Sequence, residues 1–238
     1  MKIAGLKQQT WFQQIRAISF DCYGTLIDWE EGICRAMLQW ADDIGISISR
    51  EEILSLYSRF EPEEQLGEYR TYREILYSVQ KRFAGHYRVS LKPNHQLLLA
   101  QSLADWEPFA DTNQALQRLA KQYKLAVISN IDHDLFAGTR AKLEPVIDCL
   151  VTAEDVSAYK PAHRNFEKAL EKMGLERSRL LHVAESLYHD IKPCNDLGIR
   201  CVWVNRRSRS MSVGATRLET ARPDAVVESL AEFVEAIV

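Results

Sequence analysis

The chain is poor in the features that mark specialised protein classes. Its 238 residues include five cysteines. Cys22, Cys34, Cys149, Cys194 and Cys201 are scattered, odd in number and without a C-x-x-C pair, which argues against a disulfide framework or a cysteine zinc site. Ten glycines and seven prolines are too few for a collagen-like or linker-rich chain. No apolar run approaches the roughly 18 residues a membrane span needs, and the opening MKIAGLKQQTWFQQIR lacks a signal-peptide core. Net charge is small: 30 Lys and Arg against 33 Asp and Glu give −3, so binding to nucleic acid or an anionic membrane through bulk charge is not expected. A composition 46% hydrophobic and 26% charged is expected of a cytoplasmic globular enzyme.

What is present is a change of texture along the chain. Ile15 to Phe20 is a short apolar run of the kind that forms a strand covered on both faces. It leads into Asp21-Cys22-Tyr23-Gly24-Thr25-Leu26. Helical periodicity follows without a strand. Ile33, Met37, Trp40 and Ile44 share one face before Gly45, and Ser49 to Glu52 reads as a capping box. The helix it opens carries Ile53, Leu56, Tyr57 and Phe60, the next Tyr72, Ile75, Leu76, Val79 and Phe83, and a fourth follows Pro93. Beyond Trp106 strands and helices alternate: Leu125 to Ile128, Cys149 to Val151, Leu181 to Ala184 and Cys201 to Val204 read as strands. Alternation of this kind predicts a parallel sheet with helices on both faces.

Chemistry-bearing residues sit where those strands end. Asp21, Ser129 with Asn130, Lys160, and Glu185 with Asp190 each follow a strand or open the next helix, so adjacent parallel strands would bring them to one sheet edge. Such a set can bind an anion, hold a carboxylate nucleophile ionised, or chelate a divalent cation.

Asp21 to Leu26, Ile128-Ser129-Asn130, Tyr159-Lys160-Pro161 and His182 to Ser186 with Asp190 resemble the four ordered motifs of the haloacid dehalogenase superfamily. The resemblance implies a Rossmann-like α/β core over residues 1–28 and 107–238, with a four-helix cap inserted over 29–106. It also implies that Asp21 forms a covalent ester, that Lys160 steadies it, and that Ser129 binds substrate. Tyr23 stands where the superfamily's phosphatases carry a second Asp to protonate a leaving alcohol, and resembles the 2-haloacid dehalogenases there. Halide leaves as a stable anion and needs no proton, whereas a phenol of pKa about 10 is a slow acid. Cys22 through its N–H, Tyr23, Thr25, Ser129, Asn130 and, on the cap, Arg59 are the implied substrate contacts. The implied partner is a short halogenated carboxylic acid, with no nucleic acid or membrane, no required cofactor, and a homodimer as assembly.

The pattern is broken at Glu185, Leu187 and Phe166, where those dehalogenases carry a hydroxyl residue, an amide and a tyrosine. Glu185 and Asp190 instead resemble the acidic pair that holds Mg²⁺ in the phosphatases. Three carboxylates around Lys160 leave uncompensated charge, which a buried site tolerates poorly. Either a cation lies among Asp21, the Tyr23 carbonyl, Glu185 and Asp190, or one carboxyl has a raised pKa, with Glu185 or Asp190 then suited to act as general base. A Mg²⁺-dependent phosphatase and a binding protein on a retired catalytic scaffold are the competing readings. His182 reads as a packed neighbour, Asp132 and His133 as capping residues of the helix they open, and Arg206 to Arg209 as a solvated basic loop.

Overall fold

The computed structural model describes residues 5–206 and 220–238. Its frame is a six-stranded sheet in the order β3-β2-β1-β4-β5-β6, with every neighbouring pair parallel. Here β1 is Ala17–Phe20, β2 Lys124–Ser129, β3 Cys149–Thr152, β4 Leu180–Ala184, β5 Arg200–Val204 and β6 Ala225–Val227. The first five match the apolar runs of the sequence. β6 has only three residues, too short for alternation to reveal. The order reverses beside β1, so the carboxyl ends of β1 and its neighbours open into the crevice where such sheets place ligands.

Every residue of β1 and β4 is buried, because helices cover both faces. On one face Ile18 and Phe20 share an apolar cluster with Leu116 of α5 (Thr112–Leu119) and Phe233 of α10 (Leu230–Ile237). On the other, Ala17 packs with Phe166 and Ala169 of α8 (Arg164–Met173) and Cys194 of α9 (Lys192–Leu197). Removing a large side chain from either layer would cost about 2–5 kcal/mol.

Between β1 and β2 run α1 (Trp29–Ile44), α2 (Arg50–Glu64), α3 (Tyr72–His86) and the short α4 (Leu98–Ser102). Their apolar faces continue the first cluster through Ile33, Met37, Trp40, Tyr57 and Phe83. Gly32 lets α1 approach the Trp106 indole: a Cβ there would lie 2.3 Å from the ring. Ser49 caps α2 by accepting from the Glu52 N–H. Reciprocal capping boxes stand instead at Thr71 with Glu74, opening α3, and at Thr152 with Asp155, at the end of β3. The remaining helices are α6 (His133–Arg140) and α7 (Ala153–Val156), and a π-helical turn over Leu187–Ile191 precedes α9. Among the described residues no helix is long and apolar enough to cross a membrane.

Asp132 departs from expectation. It does not use its side chain to cap α6. Its two carboxylate oxygens accept from the backbone N–H groups of Tyr72 and Arg73, at 2.8 and 2.9 Å. These are orphan donors at the start of α3, and an anion suits that end of a helix dipole. An Arg73–Asp134 ion pair and a 2.8 Å bond from the Tyr159 hydroxyl to the Arg70 carbonyl lie beside it. The helical insert is thus fastened to the β2 and Lys160 loops.

Candidate active site

The loop after β1 closes on itself. The Cys22 carbonyl accepts from the N–H groups of Thr25, Leu26 and Ile27. Gly24 makes the turn possible with a φ of 98°, and a side chain there would also press on the Trp29 indole nitrogen at 3.1 Å. The turn leaves Asp21 nearly buried at the sheet edge. Thr25 Oγ1 donates to Asp21 Oδ2 at 3.0 Å and accepts from the Glu185 N–H at 2.9 Å, tying the loop to the end of β4. Arg206 acts as a clasp from below. Its guanidinium donates twice to the Thr25 carbonyl, pairs with Asp111 and lies 3.9 Å from the centre of the Phe109 ring. The expected solvated loop is therefore corrected at Arg206, while Arg207, Ser208 and Arg209 lie outside the described residues.

Lys160 is the hub. Its ammonium donates to Asp21 Oδ1 at 2.7 Å, Asp190 Oδ1 at 2.7 Å and the Ile128 carbonyl at 2.9 Å, which uses all three of its protons. All three charged side chains are nearly or wholly buried. Burial opposes the ammonium charge, but the two carboxylates outweigh it and raise the lysine pKa. Asp190, expected as a candidate for a raised carboxyl, moves the other way, and Asp21 is the raised one. Burial would raise Asp190, but Lys160 and the His182 N–H bring it down to about 2. Asp21 is raised, by burial first and by Asp190, against the pull of Lys160 and Thr25. Asp190 is accordingly a firm anion rather than a carboxyl poised to titrate near neutrality.

His182 is more than a packed neighbour. Its Nε2 lies 2.9 Å from Asp190 Oδ1 and its Nδ1 lies 2.8 Å from Ser19 Oγ. Sequence periodicity shows only a polar residue in an apolar strand; the contact depends on register, with Ser19 of β1 the cross-strand partner of His182 on β4.

The other expected contacts divide. Ser129 ends β2 fully buried, with no hydrogen-bond partner for its hydroxyl among the described residues. Asn130 turns to its own scaffold: its carbonyl accepts from the Lys160 N–H at 2.6 Å and its amide donates to the Lys160 carbonyl at 3.3 Å. It positions the lysine loop. The Cys22 thiol is packed in the core, and burial followed by Asp21 pushes its pKa well up. The Tyr23 hydroxyl bonds Thr139 Oγ1 at 2.8 Å and its ring packs edge-on to Trp106. Burial, reinforced by Cys22, raises the phenol well above its ordinary pKa. Arg59 is a correction. The buried face of α2 is Ile53, Leu56, Tyr57 and Phe60, and Arg59 lies off it, exposed, with its guanidinium over the Phe60 ring at 4.8 Å. His189 folds back on Ser186, its N–H donating to Oγ at 3.0 Å.

The insert contributes an aromatic wall. Trp29 beside Gly24 packs on Tyr57 at 5.6 Å, Tyr57 and Tyr72 join hydroxyls at 2.9 Å, and Tyr72 lies 6.2 Å from Tyr159. Within it stands Glu61, half-buried, whose carboxyl is pushed up to about 7 by burial and partly restrained by Tyr72.

Both oxygens of Asp21 and Oδ1 of Asp190 already accept from Thr25, Lys160 and His182. Among the described residues no three His, Cys, Asp or Glu side chains are grouped so that they could hold a metal ion.

Comparison with known proteins gives a consistent picture. Residues 15–198 match the family model of haloacid dehalogenase-like hydrolases. An (S)-2-haloacid dehalogenase from Pseudomonas putida is 27% identical over 228 residues, 93% of this chain and 96% of that protein. The L-2-haloacid dehalogenase of Xanthobacter autotrophicus, solved with chloropropionic acid covalently bound, superposes with a TM-score of 0.79 at 20% identity, over 94% of this chain and 98% of that one. A HAD-family chain from Bacillus subtilis solved with magnesium gives a TM-score of 0.75 at 17% identity, over 94% and 98%. These two structural likenesses speak for the fold alone.

Proposed function

The chain belongs to the haloacid dehalogenase-like hydrolases, and on that footing we propose that it hydrolyses the carbon–halogen bond of a short (S)-2-haloalkanoate. An Asp21 carboxylate oxygen attacks C2 from the side opposite the halogen, and the bonding pair leaves with the halide. Water then adds to the ester carbonyl of Asp21, the 2-hydroxyacid departs, and a proton is released to solvent. The attack needs an ionised carboxylate, which Lys160 supports at 2.7 Å, and a fixed one, which Thr25 supports from the other oxygen. The buried Ser129 hydroxyl is suited to the substrate carboxylate. Asp190 orients the hydrolytic water, and the helical insert over 29–106 acts as a cap whose indole and phenols meet the departing halide as neutral donors.

The observation that carries this reading is the Tyr23 hydroxyl locked on Thr139. The position that would protonate an alkoxide holds a phenol held protonated and engaged elsewhere, which suits a leaving group that needs no proton. The Pseudomonas putida relative supports the same chemistry. We read the reaction as independent of a cofactor. The test is a paired assay on metal-stripped protein: halide release from (S)-2-chloropropionate without Mg²⁺, and phosphate release from an aryl phosphate with it. Halide release without metal is expected; phosphate release alone would overturn the proposal in favour of a Mg²⁺-dependent phosphatase.

A further inference from the structure

Two polar residues stand side by side in the two central strands, where parallel sheets are otherwise apolar. Ser19 interrupts Ala17–Phe20 and His182 interrupts Leu180–Ala184. Both are wholly buried, on the face where Phe166 packs edge-on to the imidazole with ring centres 5.2 Å apart. Burying a polar group without a partner costs roughly 1–3 kcal/mol, and these two are satisfied through each other and through Asp190.

The hydrogen bonds define their own direction. Asp190 is an anion that can only accept, so His182 Nε2 carries a proton. In the neutral ring Nδ1 then accepts from the Ser19 hydroxyl. Two donors, His182 Nε2–H at 2.9 Å and Lys160 Nζ at 2.7 Å, therefore grip the same oxygen of Asp190. The other oxygen, Oδ2, is buried and bonded to no described residue.

We infer that His182, set in its tautomer by Asp190 and braced at Nδ1 by Ser19, is a positioning residue for hydrolysis of the aspartyl ester: by holding Asp190 through Oδ1 it leaves Oδ2 to accept the hydrogen bond of the attacking water. The inference rests on the covalent reading above. Ester formation consumes the Asp21 charge and releases halide; it makes no use of Oδ2. Ester hydrolysis adds water oxygen to the carbonyl carbon of Asp21, with one water proton passing toward Oδ2. Collapse of the adduct expels the 2-hydroxyacid oxygen, which takes up that proton, while the second water proton leaves to solvent and the Asp21 carboxylate is restored. A carboxylate held as a firm anion is a weak base, so its contribution is orientation of the water more than possession of the proton.

The distinction between half-reactions is measurable. In a two-step covalent mechanism kcat/KM reports steps up to ester formation, whereas kcat reports the slower step. The variants are His182→Leu together with Ser19→Ala, His182→Gln, and Ser19→Ala alone, assayed with (S)-2-chloropropionate. The double variant is expected to lose about 10–100-fold in kcat with a parallel fall in KM, leaving kcat/KM within about twofold. Intact-protein mass spectrometry should then show the ester adduct accumulating, and digestion should place it on the peptide that contains Asp21. The His182→Gln variant, which keeps an N–H donor, should recover part of kcat, and Ser19→Ala alone should show the same pattern more weakly. Should the double variant fail to fold, the two single variants carry the test. A fall in kcat/KM equal to that in kcat, without ester, would overturn the inference, as would unchanged kinetics. Wild-type protein that releases no halide would overturn the dehalogenase reading itself, a different observation.

Discussion

The two walls of the crevice are built on different principles. On the sheet side, three buried charges, a histidine and two hydroxyls are joined by hydrogen bonds at 2.7–3.0 Å, each carried by a strand or by a loop at the sheet edge. On the insert side the groups are an indole and phenols in edge contact, with a carboxyl of pKa about 7 among them. The first wall fixes atoms and charge, which a displacement reaction requires. The second offers shape and weak donors, and in the proposed reaction these would select the substrate. On the reading proposed above, reaction type resides in the core of this protein, and preference among substrates in the insert.

The sharpest way to break the contrast is at the nucleophile. Asp21→Asn should abolish halide release, a loss of at least about a thousandfold in kcat, with the fold retained by circular dichroism. Activity undiminished in carefully purified protein would refute the covalent mechanism. Lys160→Met comes next. It leaves two buried carboxylates facing each other, so stability should fall by about 3–5 kcal/mol in denaturant titration. Lys160 lowers the Asp21 pKa, so the acid limb of kcat/KM should also move to higher pH in this variant.

In the wild type the same limb should lie above the ordinary carboxylate range, since Asp21 is raised and only its anion attacks. The stability contribution of Asp190 has the opposite sign. Its folded pKa is depressed to about 2, so that contribution is complete above the unfolded value near 3.8 and is lost as pH falls from there toward about 2. Thermal melts of Asp190→Asn against wild type between pH 2 and 6 would show the difference shrinking with acid.

Two smaller perturbations probe the insert. Glu61 is raised to about 7, so ionising it weakens the folded state as pH rises from about 4.5 to 7 and adds negative charge to the selecting wall. The KM for a haloacid anion should therefore rise severalfold between about pH 6 and 8, and Glu61→Gln should flatten that rise without changing kcat. Asp132→Ala removes the acceptor for two N–H groups of α3 and should cost about 0.5–2 kcal/mol by thermal unfolding, with KM affected more than kcat. Arg59→Ala should change kinetics by less than about twofold, because its guanidinium lies over Phe60 at the surface.

The two walls also differed in how readily the sequence disclosed them. Asp21, Ser129, Lys160, Glu185 and Asp190 could be found because each follows a strand or precedes the next helix, and parallel topology sends those ends to one edge. Five strands and the long helices were legible for the same reason, since burial on two faces or one leaves a periodic trace. The Ser19–His182 contact could not be read, because a one-residue change of register between β1 and β4 would abolish it. Asn130 has the residue type of a substrate ligand, and only the path of the Lys160 loop shows that its amide serves the backbone. Asp132 has the spacing of a cap for its own helix, yet serves one far back along the chain. Arg59 shows how narrow the margin is on a helix: one residue to either side, at about 100° per residue, faces another surface.

Asp132 holds α3 by its main chain and not by any side chain. A fastening of that sort is indifferent to what residues 72 and 73 are, so long as neither is proline. The aromatic residues of the insert can therefore change in the course of evolution, or in the hands of an engineer, without renegotiating how Asp132 moors α3. New specificities could be grafted onto this hydrolase by replacing the aromatic wall while the anchor stays where it is.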